Sequence, residues 1–209
     1  MTAFTAHRPH DLLWGFTPSL LEAGTPDWVA EVLSQGQPVV VRRAVARVGW
    51  VAVGIRGAER HQRQAAWMPT SAVTAVITPE QLVAKVLSLE LEEPALQLLQ
   101  QLNPLMEALG LAWGVTGGAA YQLATGIRVL HPGSDLDVLI RTPQPFSRPQ
   151  AATLWARLER LTCRVDVQLE TPAGAIALRE WAGTGSQVLL KALEGPRLVA
   201  NPWQWEERV

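Results

Sequence analysis

The sequence predicts an α+β protein made of a smaller N-terminal α+β domain, residues 1–78, and a larger C-terminal domain, residues 79–209. Three observations carry that expectation. Thr78-Pro79-Glu80-Gln81 offers a capping hydroxyl, a proline at the first helical position and a glutamine at capping-box spacing, so a new helical unit starts there. Residues 111–126 read as strand, Gly-Gly turn and helix. Two later runs, from Asp135 to Arg141 and from Arg164 to Glu170, carry acids at alternate positions among apolar residues, the period of a strand.

Taken in order, Asp27 to Ser34 has helical spacing, and Pro38 to Ala46 and Trp50 to Arg56 read as two strands joined by a short turn around Gly49. Helices are expected near 79–90 and 94–109. Leu111 to Thr116 reads as a short buried strand ending at Gly117-Gly118, and Ala119 to Thr125 as a helix closed by Gly126. A helix near 149–162, the alternating strand through Asp166, and a helix from Ala175 to Trp181 ending at Gly183 complete the reading. No internal repeat or low-complexity segment is present.

With 209 residues and 48% hydrophobic composition there is ample chain for a real core. No apolar run approaches the ~20 residues of a membrane span, and the N-terminus lacks a basic segment followed by an apolar one, so a cytoplasmic location is expected. The single Cys163 forms no internal disulfide and reads as an apolar filler in a reducing compartment; no zinc site is available. A net charge of -1 and a pI near 6.4 argue against DNA or RNA as substrate. Only Lys85 and Lys191 are lysines, and arginine suits a bidentate grip on phosphate, although genome base composition explains that bias equally well. Arg128 and Arg141 are nearest in sequence to the acids and are the phosphate-binding candidates.

The acids carry the chemistry. In a strand, side chains at i and i+2 point to one face, about 7 Å apart, so Asp135 and Asp137 face the same cleft. Leu136, Val138, Leu139 and Ile140 anchor the strand in a core, leaving two charges that need neutralising. Hard oxygen ligands suit Mg²⁺ (or Mn²⁺), which takes one or two carboxylates and fills its shell with water and substrate phosphates. Gly117 and Gly118 let phosphate oxygens approach the backbone where the following helix exposes its N–H groups. Asp166 is the third acid and shares its face with Gln168 and, more weakly as a candidate, Glu170; beside the Asp135 strand it completes a site able to stabilise both oxygens of an in-line displacement. The plain alternatives are a loop-to-strand junction at Gly133-Ser134-Asp135, an ion pair between Asp166 and Arg164, and a simple tight turn at Gly117-Gly118.

This pattern resembles the nucleotidyltransferase superfamily that includes polymerase beta: a Gly-Gly or Gly-Ser turn, a D-x-D strand, then one acid on a later strand. A polymerase-beta-like nucleotidyltransferase core is the fold it implies for residues 79–209. The runs Arg8-Pro9-His10-Asp11-Leu12-Leu13-Trp14, Val39-Val40-Val41-Arg42-Arg43-Ala44, Val53-Gly54-Ile55-Arg56-Gly57 and DVQLETPAGAIALREWA from Asp166 resemble malonate decarboxylase holo-acyl-carrier-protein synthase, a phosphoribosyl-dephospho-CoA transferase family. That resemblance implies transfer of a phosphoribosyl-dephospho-CoA group from triphosphoribosyl-dephospho-CoA to a serine of the acyl carrier subunit of malonate decarboxylase, with release of pyrophosphate. It implies that Asp135 and Asp137 are essential. The superfamily often has Ser where this chain has Gly118, so backbone contacts, Thr116 or Ser134 must hold the phosphate instead.

Arg42, Arg43, Arg56, Arg60, His61 and Arg63 form a basic cluster in the smaller domain, either a solvated face or a surface that steers an anionic donor or carrier. The nine tryptophans, among them Trp113, Trp155 and Trp181, fit core positions, and His10 and His131 read as structural. The mechanism expected is metal at Asp135 and Asp137, with Asp166 at a second metal and assisting deprotonation of the serine. Two rival readings are a nucleotidyltransferase of the same fold that uses ATP on another acceptor, and a non-catalytic carrier-protein adaptor; three acids argue against the second.

Overall fold

A computed structural model describes residues 7–59, 61–86 and 93–204 of the chain. The chain divides into two compact units between Thr78 and Pro79.

The first unit contains β1 (Leu12–Trp14), α1 (Asp27–Ser34), β2 (Val39–Val41), β3 (Trp50–Arg56), β4 (Arg63–Pro69) and β5 (Ala75–Ile77). Its sheet runs β4-β3-β2-β1-β5 with every neighbouring pair antiparallel. Alternation along β3 sends Val51, Val53 and Ile55 into a core with Val29 and Leu33 of α1, Val39, Val41 and Met68. β2 is shorter than its sequence reads. Its last ladder bond runs from Arg42 N–H to the Ala52 carbonyl (2.8 Å), and beyond it Val45 and Val48 have no core to fill, being 62% and 101% exposed. Arg56 is the cross-strand partner of Arg63, Arg42 lies across Gly54, and the Arg47 guanidinium stacks 3.8 Å over Trp50. Arg60, the remaining arginine of the predicted cluster, lies outside the described residues.

The second unit contains α2 (Pro79–Val86), α3 (Pro94–Glu107), β6 (Trp113–Val115), α4 (Gly117–Thr125), β7 (Leu136–Arg141) and α5 (Arg148–Leu158). It continues with β8 (Val165–Thr171), β9 (Gly174–Ala177), α6 (Leu178–Ala182), β10 (Val188–Ala192) and β11 (Gly195–Val199). The sheet order is β11-β10-β9-β8-β7-β6. β7 and β8 pair in parallel, joined by the α5 crossover, and the other neighbours are antiparallel. Leu136, Val138 and Ile140 of β7 and Val165, Val167 and Leu169 of β8 are buried. α2 packs against β6 so closely that a Cβ on Gly114 would run into the Pro79 backbone.

Two departures from the sequence reading have physical causes. Ala175 to Ala177 form β9 rather than the start of a helix, because Thr171 and Gly174 close a hairpin whose register pairs Leu169 with Ile176; the helix is confined to Leu178–Ala182. The crossover helix starts at Arg148 because Ser147 and Gln150 cap it reciprocally. Of the helix expected near 79–90, residues 79–86 are helical and 87–90 lie outside the described residues. β4, β5 and the β10–β11 hairpin are further strands of the two sheets.

Candidate active site

Parallel pairing of β7 with β8 makes Asp137 the register partner of Asp166, on strands about 4.8 Å apart. Asp135 precedes Asp137 by two positions and shares its face. The Asp135 and Asp166 side chains are each 44% exposed, so their oxygens are open to solvent.

β6 delivers the chain to the same edge. Thr116 N–H donates to the Asp137 carbonyl (2.9 Å), after which Gly117, at φ +63°, turns the backbone into α4. A Cβ on Gly117 would coincide with Oδ2 of Asp137. Gly117 is thus the residue against which the Asp137 carboxylate rests, at a helix start whose unpaired N–H groups and dipole favour an anion. Gly118 is half-buried within the first turn, and Thr116 is buried and makes no side-chain cap.

The loop from α4 to Asp135 is held by residues whose roles are local. Gly126 ends α4 at φ +75°, and the side-chain Oε1 of Gln122 accepts the N–H groups of Val129 and Leu130, both at 3.0 Å. Gln122 in turn donates to Glu93 (2.9 Å). Ser134 Oγ accepts the His131 N–H (3.0 Å), and His131 Nδ1 accepts the Gly133 N–H (3.1 Å), so both side chains shape the turn that presents Asp135. Arg128, 72% exposed, has its Nε 3.5 Å from Glu93 Oε1. The importance of Gln122 has no signal in the sequence, since its contacts come from a loop seven and eight residues on.

Arg164 stands immediately before β8 and spans the acids. Its Nη2 lies 3.1 Å from both Asp166 oxygens, its Nε donates to Oδ1 (3.3 Å), and its Nη1 is 3.9 Å from Asp135 Oδ2. The hydrogen bond to Asp166, then the charges of Asp166, Asp135 and Asp137, hold its pKa above the ordinary arginine value. Cys163 donates to the Ser134 carbonyl (3.3 Å), and burial together with the Asp135 charge pushes its thiol pKa up, which keeps it protonated and unsuited to nucleophilic attack.

Farther along the same face lies a separate polar chain. Gln168 donates to Glu170 (2.6 Å), Arg141 Nη1 is 3.8 Å from Glu170, and Arg141 Nε donates to Glu80 of α2 (2.9 Å). With side-chain exposures of 14% and 7%, Arg141 and Glu170 form a largely buried pair. Arg141 stands four residues beyond Asp137, about 13 Å along the strand. The structure therefore sets Arg141 among carboxylates rather than beside the predicted phosphate site, because Glu80, distant in sequence, claims its guanidinium.

Among the described residues, no three His, Cys, Asp or Glu side chains close into a ready-made metal cage. Asp135, Asp137 and Asp166 instead offer an open edge of hard carboxylate oxygens, a partial ligand set of the kind Mg²⁺ or Mn²⁺ completes with water and substrate phosphates. On donor chemistry the residues fit such an ion. Asp166 is at the same time paired with Arg164. An open groove of about 410 Å³ in the first unit, lined by Glu22, Val45, Arg47 and Trp67, contains none of these acids.

Comparison with known proteins covers both units. Residues 8–79 match the family described as phosphoribosyl-dephospho-CoA transferase MdcG N-terminal domain, and residues 81–202 the corresponding C-terminal domain. Among similar proteins, a phosphoribosyl-dephospho-CoA transferase of Azotobacter vinelandii is 58% identical over 200 residues, 94% of each chain. Those of Pseudomonas putida and Pseudomonas aeruginosa are 56% and 50% identical, over 97% and 96% of this chain and 98% and 95% of theirs. No solved structure matches.

Proposed function

Since the chain belongs to the phosphoribosyl-dephospho-CoA transferase family along nearly its whole length, we propose the following reaction for it. It moves the phosphoribosyl-dephospho-CoA group from 2'-(5''-triphosphoribosyl)-3'-dephospho-CoA to a serine of the apo acyl carrier subunit of malonate decarboxylase, releasing pyrophosphate. The observation that carries this reading is the register pairing of Asp137 with Asp166, with Asp135 on the same face and the start of α4 against Asp137. The order of strand, glycine turn, helix, D-x-D strand and third acid is in keeping with a polymerase-beta-like nucleotidyltransferase core.

In the proposed mechanism, Asp135 and Asp137 hold a divalent cation, Mg²⁺ or Mn²⁺, which when bound offsets charge on the donor phosphates. The N–H groups at the start of α4, beginning with Gly118, present their positive end to the same phosphates. Asp166 takes the proton of the serine hydroxyl. The serine oxygen bonds to the α-phosphorus, the bond from that phosphorus to the bridging oxygen breaks, and pyrophosphate departs with the electron pair. Catalysis is thus chiefly positioning and electrostatics, as in phosphoryl transfer generally.

The test is to mix the protein with Mg²⁺, the triphosphoribosyl donor and the apo carrier subunit, and to weigh the intact carrier by mass spectrometry. The expected result is a gain equal to the phosphoribosyl-dephospho-CoA group, absent with Asp135→Asn. A gain that persists in Asp135→Asn would remove the metal role. No gain with a competent carrier, but AMP transfer from ATP, would replace the donor assignment.

A further inference from the structure

We propose that Arg164 is an exchangeable counter-cation: it neutralises the acidic edge of the site, and moves from Asp166 to the phosphates of the donor when a polyphosphate ester and its metal arrive. The proposal rests on the metal-dependent reading above and extends it to a residue that the superfamily pattern does not include.

Three acids converge on one strand edge, and like charges so placed repel unless a cation stands among them. Arg164 is that cation, with both Asp166 oxygens 3.1 Å from its Nη2 and Asp135 3.9 Å from its Nη1. Yet the arrangement is poised to open. The Arg164 side chain is 58% exposed, against 14% for Arg141, whose similar pairing is enclosed. An exposed pair of this kind is held weakly and exchanges partners readily. The backbone of Arg164 is fixed independently, since its carbonyl accepts the Leu136 N–H (2.9 Å), so the guanidinium can leave without disturbing the strand pairing.

Arg164 and a metal ion compete at Asp166, because the fork already fills most of the acceptor sites of that carboxylate and two cations held on it repel each other. A donor triphosphate resolves the conflict. It brings metal to the carboxylates and gives the released planar guanidinium a bidentate oxygen partner of higher charge than the one it gives up.

The exchange predicts effects of opposite sign on two ligands, which separates it from a merely structural role. Mn²⁺ binding would be followed by electron paramagnetic resonance, and binding of inorganic tripolyphosphate in saturating Mn²⁺ by calorimetry, in the wild type, Arg164→Gln, Arg164→Lys and Asp137→Asn. Arg164→Gln is expected to bind Mn²⁺ alone about two- to fivefold more tightly, the worth of an exposed ion pair. It is expected to bind tripolyphosphate at least about tenfold more weakly, the worth of charged hydrogen bonds, with Arg164→Lys intermediate on both. Mn²⁺ affinity unchanged or weakened in Arg164→Gln, while Asp137→Asn abolishes it, would overturn the exchange and leave the metal reading intact. Mn²⁺ binding unaffected by Asp137→Asn, or absent from the wild type, would overturn the metal reading and the exchange with it.

Discussion

Gly117 holds φ +63° with the Asp137 carboxylate in the space a Cβ would take, so the backbone and the acid are fitted to each other. Gly117→Ala combines a left-handed conformation that costs an L-residue about 1–2 kcal/mol with displacement of Asp137. Transfer activity is expected to fall more than about tenfold, the factor that 1.4 kcal/mol of lost transition-state stabilisation supplies, while circular dichroism retains the folded signal. Arg141 gives a contrasting case. Removing it takes from Glu80 and Glu170 the cation they share at a site with little solvent, and Arg141→Ala is expected to lower unfolding free energy by about 3 kcal/mol in urea titrations. Cys163 reports on the acids themselves. The Asp135 charge helps raise its pKa, so Asp135→Asn increases the thiolate fraction at pH 8, and alkylation by iodoacetamide is expected to speed up relative to the wild type.

α5 begins with the reciprocal bonds of Ser147 and Gln150, far along the chain from the acids. Ser147→Ala should cost about 1 kcal/mol of stability and leave the transfer rate unchanged, which paired urea and activity measurements would check. Elements whose signals are local were legible in the sequence. α1 runs over Asp27–Ser34 as its spacing predicts, between Pro26 and Gly36, and the buried alternation of Val165, Val167 and Leu169 marks β8. The Ala175-Ile176-Ala177-Leu178 run has no decisive period, and only its pairing with β8 makes three of those residues strand. At the site, the positions of Asp135, Asp137 and Asp166 follow from strand periodicity. The ion pair of Arg164 with Asp166 is the plain alternative that their spacing already offers, whereas the reach of that guanidinium to Asp135, the claim of Glu80 on Arg141 and the bracing of the loop by Gln122 depend on side chains meeting from different elements, which no local pattern encodes.

On the scale of the whole molecule, charge is unevenly spread: residues 1–78 hold seven arginines against five acids, whereas residues 79–209 hold more acids than basic residues. Among the described residues, no helix is long and apolar enough to cross a membrane. If the basic face of the first unit steers an acidic carrier, the double variant Arg56→Ala, Arg63→Ala should raise the KM for the carrier severalfold and flatten its dependence on ionic strength. Its melting temperature should not drop, because the two arginines are cross-strand partners of like charge. The parallel register of β7 and β8 reaches further. Asp137 and Asp166 are 29 positions apart and become neighbours only once α5 has carried the chain back across the sheet. A chain in which β8 has not yet paired therefore keeps Asp135 and Asp137 as neighbours but holds Asp166 apart from them, and the three carboxylates come together only in the step that completes the parallel pairing.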